Sequence, residues 1–168
     1  NRFDSSQSFE SYLEKSYCKT ASLIANSSKA IGVLSNVDQD NLESLYFFGK
    51  QLGLAFQVVD DILDFTGNDK QLGKPAANDL QSGYLTAPVF YALEENPILG
   101  ELINDKFSKK DDLDKALSLV RDSSAIQKSR ELAEKFASES KNSISWLPDS
   151  PSKKALLELP EFVISRLY

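Results

Sequence analysis

The sequence predicts an all-α fold, a bundle of roughly six to eight helices in a single domain over residues 1–168. Three observations carry this. Apolar residues recur at three- and four-residue spacing along most of the chain, the period of a helix that buries one face. No stretch alternates apolar and polar residues in the manner of a half-buried strand. The pattern is interrupted at Gly, Pro, Asn, Asp and Ser clusters, the residues that end helices and form turns.

In chain order, residues 8–35 form the first helical segment. Phe9, Tyr12, Leu13, Tyr17, Leu23, Ile24 and Ile31 make its stripe, and Ala21, Ala25 and Ala30 allow close packing. Ser35–Gln39 is a polar turn in which Asp38 has the chemistry of an N-cap. A second helix runs from about residue 39 to 65, with Leu45, Phe48, Leu52, Phe56, Val59 and Leu63 at helical spacing. Gly49 and Gly53 lie inside it, each costing about 1 kcal/mol relative to Ala, so another helix is expected to approach closely there. Residues 66–83 read as a loop punctuated by Gly67-Asn68-Asp69, Gly73-Lys74-Pro75 and Ser82-Gly83. Helices are then expected over 87–95, from Pro97 to about 107, around Leu113, Ala116, Leu117 and Val120, over 124–146 with Ile126, Leu132, Ala133, Phe136 and Ile144 inward, and over 152–167. That last helix has Leu156, Leu157, Leu159, Phe162, Val163 and Leu167 as apolar residues, and Pro160 is placed to kink or split it.

Composition removes several classes of function. The chain is 41% hydrophobic and 26% charged, ordinary for a globular protein. Its net charge is −6, with acids and bases interspersed, which argues against nucleic acid as a partner. With no histidine, His-based triads and His-ligated zinc are excluded, and Cys18 as the lone cysteine allows no intrachain disulfide. No uncharged run approaches the roughly 20 residues of a membrane span. The chain has no methionine and starts at Asn1, which reads as a processed chain or an internal fragment.

The stretch with the most chemistry is Phe56-Gln57-Val58-Val59-Asp60-Asp61-Ile62-Leu63-Asp64. On a helix Asp60 and Asp64 are i,i+4 neighbours, Asp61 lies about a hundred degrees round, and Gln57 is one turn before it. Like charges at this spacing repel, the more so when partly buried. A cation removes the conflict. Carboxylates without histidine or thiolate are hard oxygen ligands, suited to Mg²⁺, which keeps several waters and shares itself between one or two carboxylates and substrate phosphates. The competing reading is a solvated acidic helix face, weakened here by the interleaved Val58, Val59, Ile62, Leu63 and Phe65. Asp111-Asp112-Leu113-Asp114 is a different case, a helix start flanked by Lys109 and Lys110. Lys19, beside Thr20, has two readings from its residues alone: a snorkelling surface lysine or a point charge for a phosphate oxygen.

Phe56-Gln57, Asp60-Asp61-Ile62-Leu63-Asp64, Gly73-Lys74, Asp79-Leu80 and Thr86-Ala87-Pro88 follow one another in the order and spacing of a known pattern. The stretch resembles the second aspartate-rich region of the trans-type polyprenyl diphosphate synthases. Lys19-Thr20-Ala21-Ser22-Leu23 is similar to the Lys-Thr element of the same family. The chain's tone is similar to the cyanobacterial and plastid long-chain enzymes of the solanesyl type. Its first aspartate-rich motif, which the family carries upstream, is not found here, so the resemblance implies the C-terminal half of a helical bundle of the isoprenoid synthase type.

The resemblance implies a Mg²⁺-dependent prenyltransferase that adds isopentenyl diphosphate to an allylic diphosphate, building a long trans-polyprenyl chain of the kind carried by quinones. It implies that Asp60, Asp61 and Asp64 hold the metal, and that Lys19, Thr20, Gln57 and Lys74 bind diphosphate. It further implies a homodimer in the cytoplasm of a cyanobacterium or in a plastid stroma, peripheral to the membrane if associated with it, and a chain inactive without its upstream half. Tyr84 departs from the pattern, because many short-chain relatives place a phosphate-binding lysine there; no binding role is carried onto it. Three alternatives are a class I terpene synthase, whose second motif mixes Asn, Ser and Glu; a non-catalytic subunit of a heteromeric synthase; and a plain helical scaffold.

Overall fold

Every regular element among the described residues is helical, as the spacing of apolar residues requires. The structure is a computed structural model that describes residues 2–67 and 77–168. The first helical segment is α1 (Phe9–Ser16), a wider turn over Tyr17–Ala21, and α2 (Ser22–Leu34). The second is α3 (Gln39–Thr66), 28 residues long. Asp38 caps it as expected, its carboxylate accepting from the Asn41 backbone N–H at 2.9 Å. A four-residue turn of helix, α4 (Asn78–Gln81), lies inside the segment expected to be loop, and Gly83 closes it at φ +78, a conformation that favours glycine. Then come α5 (Ala87–Glu95), α6 (Pro97–Asn104), α7 (Asp112–Arg121), α8 (Ala125–Ser143) and α9 (Pro151–Ser165). Thr86-Ala87-Pro88 is a helix start, with Thr86 extended and proline in the first turn of α5. Pro160 sits buried inside α9 without splitting it.

The chain groups into two compact units. One comprises Asn1–Tyr12 with Asp60–Glu131, the other Leu13–Val59 with Leu132–Tyr168, so α3 contributes its last turns to the first unit and the remainder to the second. The first unit has Ile62, Phe65, Leu80, Val89, Leu99, Ile103 and Val120 in its core. Phe9, Tyr12 and Phe90 pack ring to ring, with centroids 5.5–5.9 Å apart. Arg121 donates from Nε to the Phe65 carbonyl at 3.2 Å, near the C-terminus of α3.

In the second unit Phe48, Leu52, Val58, Val59, Phe136, Ile144 and Val163 are buried. Here the large residues of the first expected stripe are not what α2 buries. Leu23 and Ile31 are exposed, while Ala21, Ala25 and Gly32 are inside. The reason is the close approach expected at Gly49 and Gly53. A Cβ on Gly49 would stand 2.6 Å from the Ile24 carbonyl oxygen, and one on Gly53 2.5 Å from the Ala21 α-carbon. Two backbones this close leave room only for small residues, so the bulky ones of α2 turn away. In α9 likewise Val163 is buried, as is Leu167 just past its end, but Leu159 and Phe162 are exposed.

Candidate functional site

The wider turn at Tyr17–Ala21 is a π-helical turn: Ser22 donates from its backbone N–H to the carbonyl of Tyr17, five residues back, where an α-helix bonds four back. The inserted residue is visible in the burial pattern, which steps Tyr12, Ser16, then Ala21 and Ala25. The step of five between Ser16 and Ala21 is one residue longer than an α-helix face allows. Lys19 and Thr20 sit in this turn. Such turns recur at functional sites because they re-aim side chains that a regular helix would hold elsewhere.

Lys19 is exposed, and its ammonium makes no ion pair with the described residues. Thr20 is half-buried and donates from Oγ1 to Oε1 of Gln57 at 3.0 Å. Gln57 is itself 7% exposed, so this bond fixes the orientation of its amide. The structure therefore brings together Thr20 and Gln57, two residues singled out separately from sequence. It also shows that the single O–H of Thr20 is committed to Gln57; to donate to a phosphate it must change partner.

Asp60, Asp61 and Asp64 stand on the last two turns of α3, as the spacing predicts. Their environments differ. Asp61 is 2% exposed, and the phenol of Tyr12 donates to its Oδ2 at 2.7 Å. Asp60 and Asp64 are half-buried. Asp64 Oδ2 accepts from the backbone N–H of Asp79 at 3.2 Å, and the Asp64 carbonyl accepts from the N–H of Ala77 at 2.7 Å. So the start of α4 is laid against the end of α3 through Asp64. Lys74 lies outside the described residues. Tyr12 and Asp79 were not singled out as site residues from the sequence. Asp79 belongs to the matched Asp79-Leu80 pair, but only the spatial pairing ties it to Asp64, and only spatial pairing marks Tyr12, since a tyrosine on an apolar stripe reads as core.

Tyr84 is engaged by a cation. The Arg2 guanidinium donates to its hydroxyl at 2.5 Å and lies 4.7 Å from the centre of its ring. The Tyr84 backbone N–H in turn donates to the Asp79 carbonyl at 2.9 Å.

Among the described residues no group of three or more acidic, Cys or His side chains converges on one point. The donor chemistry nevertheless fits a hard divalent ion that keeps most of its waters. Two half-buried carboxylates one turn apart are what such an ion takes from protein, and no soft ligand competes.

Residues 1–120 match the family profile of polyprenyl synthetases. The chain belongs to the polyprenyl synthetase family. It is 52% identical over 168 residues to a prenyl transferase of Synechocystis, covering all of this chain and 52% of that protein. It is 46% identical over 165 residues to the chloroplastic solanesyl diphosphate synthase 2 of Arabidopsis thaliana, covering 98% of this chain and 40% of that one. Among solved structures, the polyprenyl synthase of Caulobacter crescentus complexed with calcium and isoprenyl diphosphate superposes with a TM-score of 0.86 at 33% identity, over 98% of this chain and 52% of that one. The helical fold that the resemblance implied is thus the fold of solved prenyl synthases. The chain spans about half the length of the curated relatives it matches. No helix among the described residues is long and apolar enough to cross a membrane.

Proposed function

We propose that this chain carries the second metal and diphosphate elements of a Mg²⁺-dependent trans-prenyltransferase. The enzyme would join isopentenyl diphosphate to an allylic diphosphate to make a long polyprenyl diphosphate. The observation that carries the reading is the arrangement of α3. Gln57, tied to Thr20 of the π-turn, is followed on the same helix by Asp60, Asp61 and Asp64. The polar groups assigned to diphosphate and the carboxylates assigned to the metal thus follow one another along α3.

In this reading Asp60 and Asp64 hold Mg²⁺, directly or through waters. Bound there, the ion supplies Lewis-acid stabilisation of charge on the leaving diphosphate. The phenol of Tyr12 holds buried Asp61 in one orientation. Lys19 offers a compact cation to a diphosphate oxygen, and Thr20 and Gln57 offer polar contacts; Lys74 is assigned a further phosphate contact from its motif alone. The allylic carbon is attacked by the isopentenyl double bond once the C–O bond to diphosphate has loosened, and loss of a proton restores a double bond. No histidine is needed, and the chain has none. The solanesyl-type relative supports a long product, and the cyanobacterial and chloroplastic origin of the relatives supports a cytoplasmic or plastid setting. Homodimerisation and peripheral membrane association remain part of the proposal through family resemblance.

The test is to titrate the chain with inorganic diphosphate, with and without Mg²⁺, and to follow binding by ³¹P NMR. Metal-dependent binding that Asp60→Asn and Lys19→Ala each weaken is expected. Binding that is indifferent to Mg²⁺ refutes the metal assignment. Product sizing after incubation with labelled isopentenyl diphosphate and an allylic primer, on the protein expressed from its complete reading frame, tests chain elongation.

A further inference from the structure

The π-turn that presents Lys19 and Thr20 is fastened to α3 at four places. The hydroxyls of Tyr17 and Tyr46 meet at 2.5 Å. The Lys50 ammonium lies 5.7 Å from the centre of the Tyr17 ring, within cation–π range. Ala21 is seated against Gly53, and Thr20 is bonded to Gln57. On α3 the anchoring residues are Tyr46, Lys50, Gly53 and Gln57, all on one face within roughly 60° of each other. The same face carries Asp60 and Asp64 further along.

Two of these anchors act at the end of the turn and two at its first residue. A π-turn is tolerated only where its surroundings over-determine it, because an α-helix of the same sequence is the default. Slippage to regular α geometry at Tyr17 would rotate the residues after it by about 100°, carrying Lys19 and Thr20 to a different face. The Tyr17–Tyr46 contact is the polar tie that resists this at the N-terminal end. Around it, the Lys29 ammonium lies 5.6 Å from the centre of the Tyr46 ring and is paired with Glu43 at 2.5 Å. The hydrogen bond with Tyr17, then burial, push the Tyr46 phenol up to about 12, so its hydroxyl stays protonated at neutral pH.

We infer that Tyr17 and Tyr46 are positioning residues of the diphosphate site: their paired hydroxyls hold the start of the π-turn on α3 and so set the register in which Lys19 and Thr20 are presented. This rests on the reading of Lys19 and Thr20 as diphosphate contacts.

The experiment compares Tyr17→Phe, Tyr46→Phe and the double variant in the 168-residue chain, alone and in a Lys19→Ala background. One readout is binding of inorganic diphosphate with Mg²⁺. Each single variant keeps its ring and loses one hydroxyl, so binding is expected to weaken about five- to tenfold, the net worth of one hydrogen bond. The double variant is expected to be no worse than either single. In the Lys19→Ala background Tyr46→Phe is expected to lose most of its effect, the coupling that an indirect role requires. The second readout, amide hydrogen exchange at residues 17–22, uses no ligand. Faster exchange of the Ser22 N–H in Tyr46→Phe, with α3 unchanged, is expected. Unchanged exchange overturns the anchoring. Faster exchange with unchanged diphosphate binding, or an equal loss with and without Lys19, overturns the positioning role. A wild-type chain that does not bind magnesium diphosphate refutes the reading of Lys19 and Thr20 and removes the positioning role with it, while exchange still decides the anchoring.

Discussion

Replacing Gly53 by alanine is expected to destabilise the protein, against the ordinary preference of a helix for alanine. The propensity gain is about 1 kcal/mol. A Cβ at this position, however, falls 2.5 Å from the Ala21 α-carbon and 2.8 Å from its Cβ. Carbon atoms pack best at about 3.5–4.0 Å, so the π-turn must retreat by about 1 Å. The obstructing atom is backbone, not the end of a flexible side chain, which places the overpacking at the upper end of its usual range, about 3 kcal/mol. The net expectation is a loss of about 2 kcal/mol. Gly100 is the control. A Cβ there meets Leu93 and Ser5 atoms at 3.5 Å, ordinary contact, inside α6. Gly100→Ala should therefore gain up to about 1 kcal/mol. Urea unfolding followed by circular dichroism separates the two: with a slope of about 2 kcal/mol per molar, the Gly53→Ala midpoint should fall by about 1 M and the Gly100→Ala midpoint should rise. A Gly53→Ala midpoint at or above wild type would refute the close approach of the π-turn to α3.

Other outcomes follow from the site and its surroundings. Tyr12→Phe removes the phenol donor from buried Asp61, and is expected to cost about 1–3 kcal/mol, read as a fall in Tm of about 2–4 °C for each kcal/mol. In the enzyme expressed from its complete reading frame, Asp60→Asn is expected to lower kcat by about 100-fold or more, because metal stabilisation is worth several kcal/mol and each 1.36 kcal/mol is tenfold; near-normal turnover would remove Asp60 from the metal site. Glu95 is held down to about 2, first by the Ser124 hydroxyl, then by the Ser124 backbone N–H and Lys128. A carboxylate depressed in the folded state stabilises fully above its ordinary value of 4.5 and progressively less as pH falls from there toward 2. The urea midpoint of wild type should therefore drop across that window more steeply than that of Glu95→Gln.

Much of the fold was legible because helices announce themselves locally. The bounds of α5 were readable to the residue from Thr86-Ala87-Pro88 and Asn96-Pro97, since proline and capping residues act through their own backbone. The close approach at Gly49 and Gly53 was legible too, as a cost that needed a reason, although not which residues would fill it. The small helix at Asn78–Gln81 was missed because four residues are too few to show a period. The outward turn of Leu23 and Ile31 was missed because a stripe identifies a face but not its partner.

For the site, the sequence by itself determined the donor chemistry. Three aspartates at helical spacing with no histidine or thiolate are hard ligands wherever the helix lies. What only the tertiary structure decided is how those groups are held. Asp61 is set apart from Asp60 and Asp64 by a phenol 49 residues away in sequence. Thr20 and Gln57, 37 residues apart, become partners. The π-turn meets Tyr46, Gly53 and Gln57 on one face of α3, contacts that Tyr17–Ala21 taken alone does not announce.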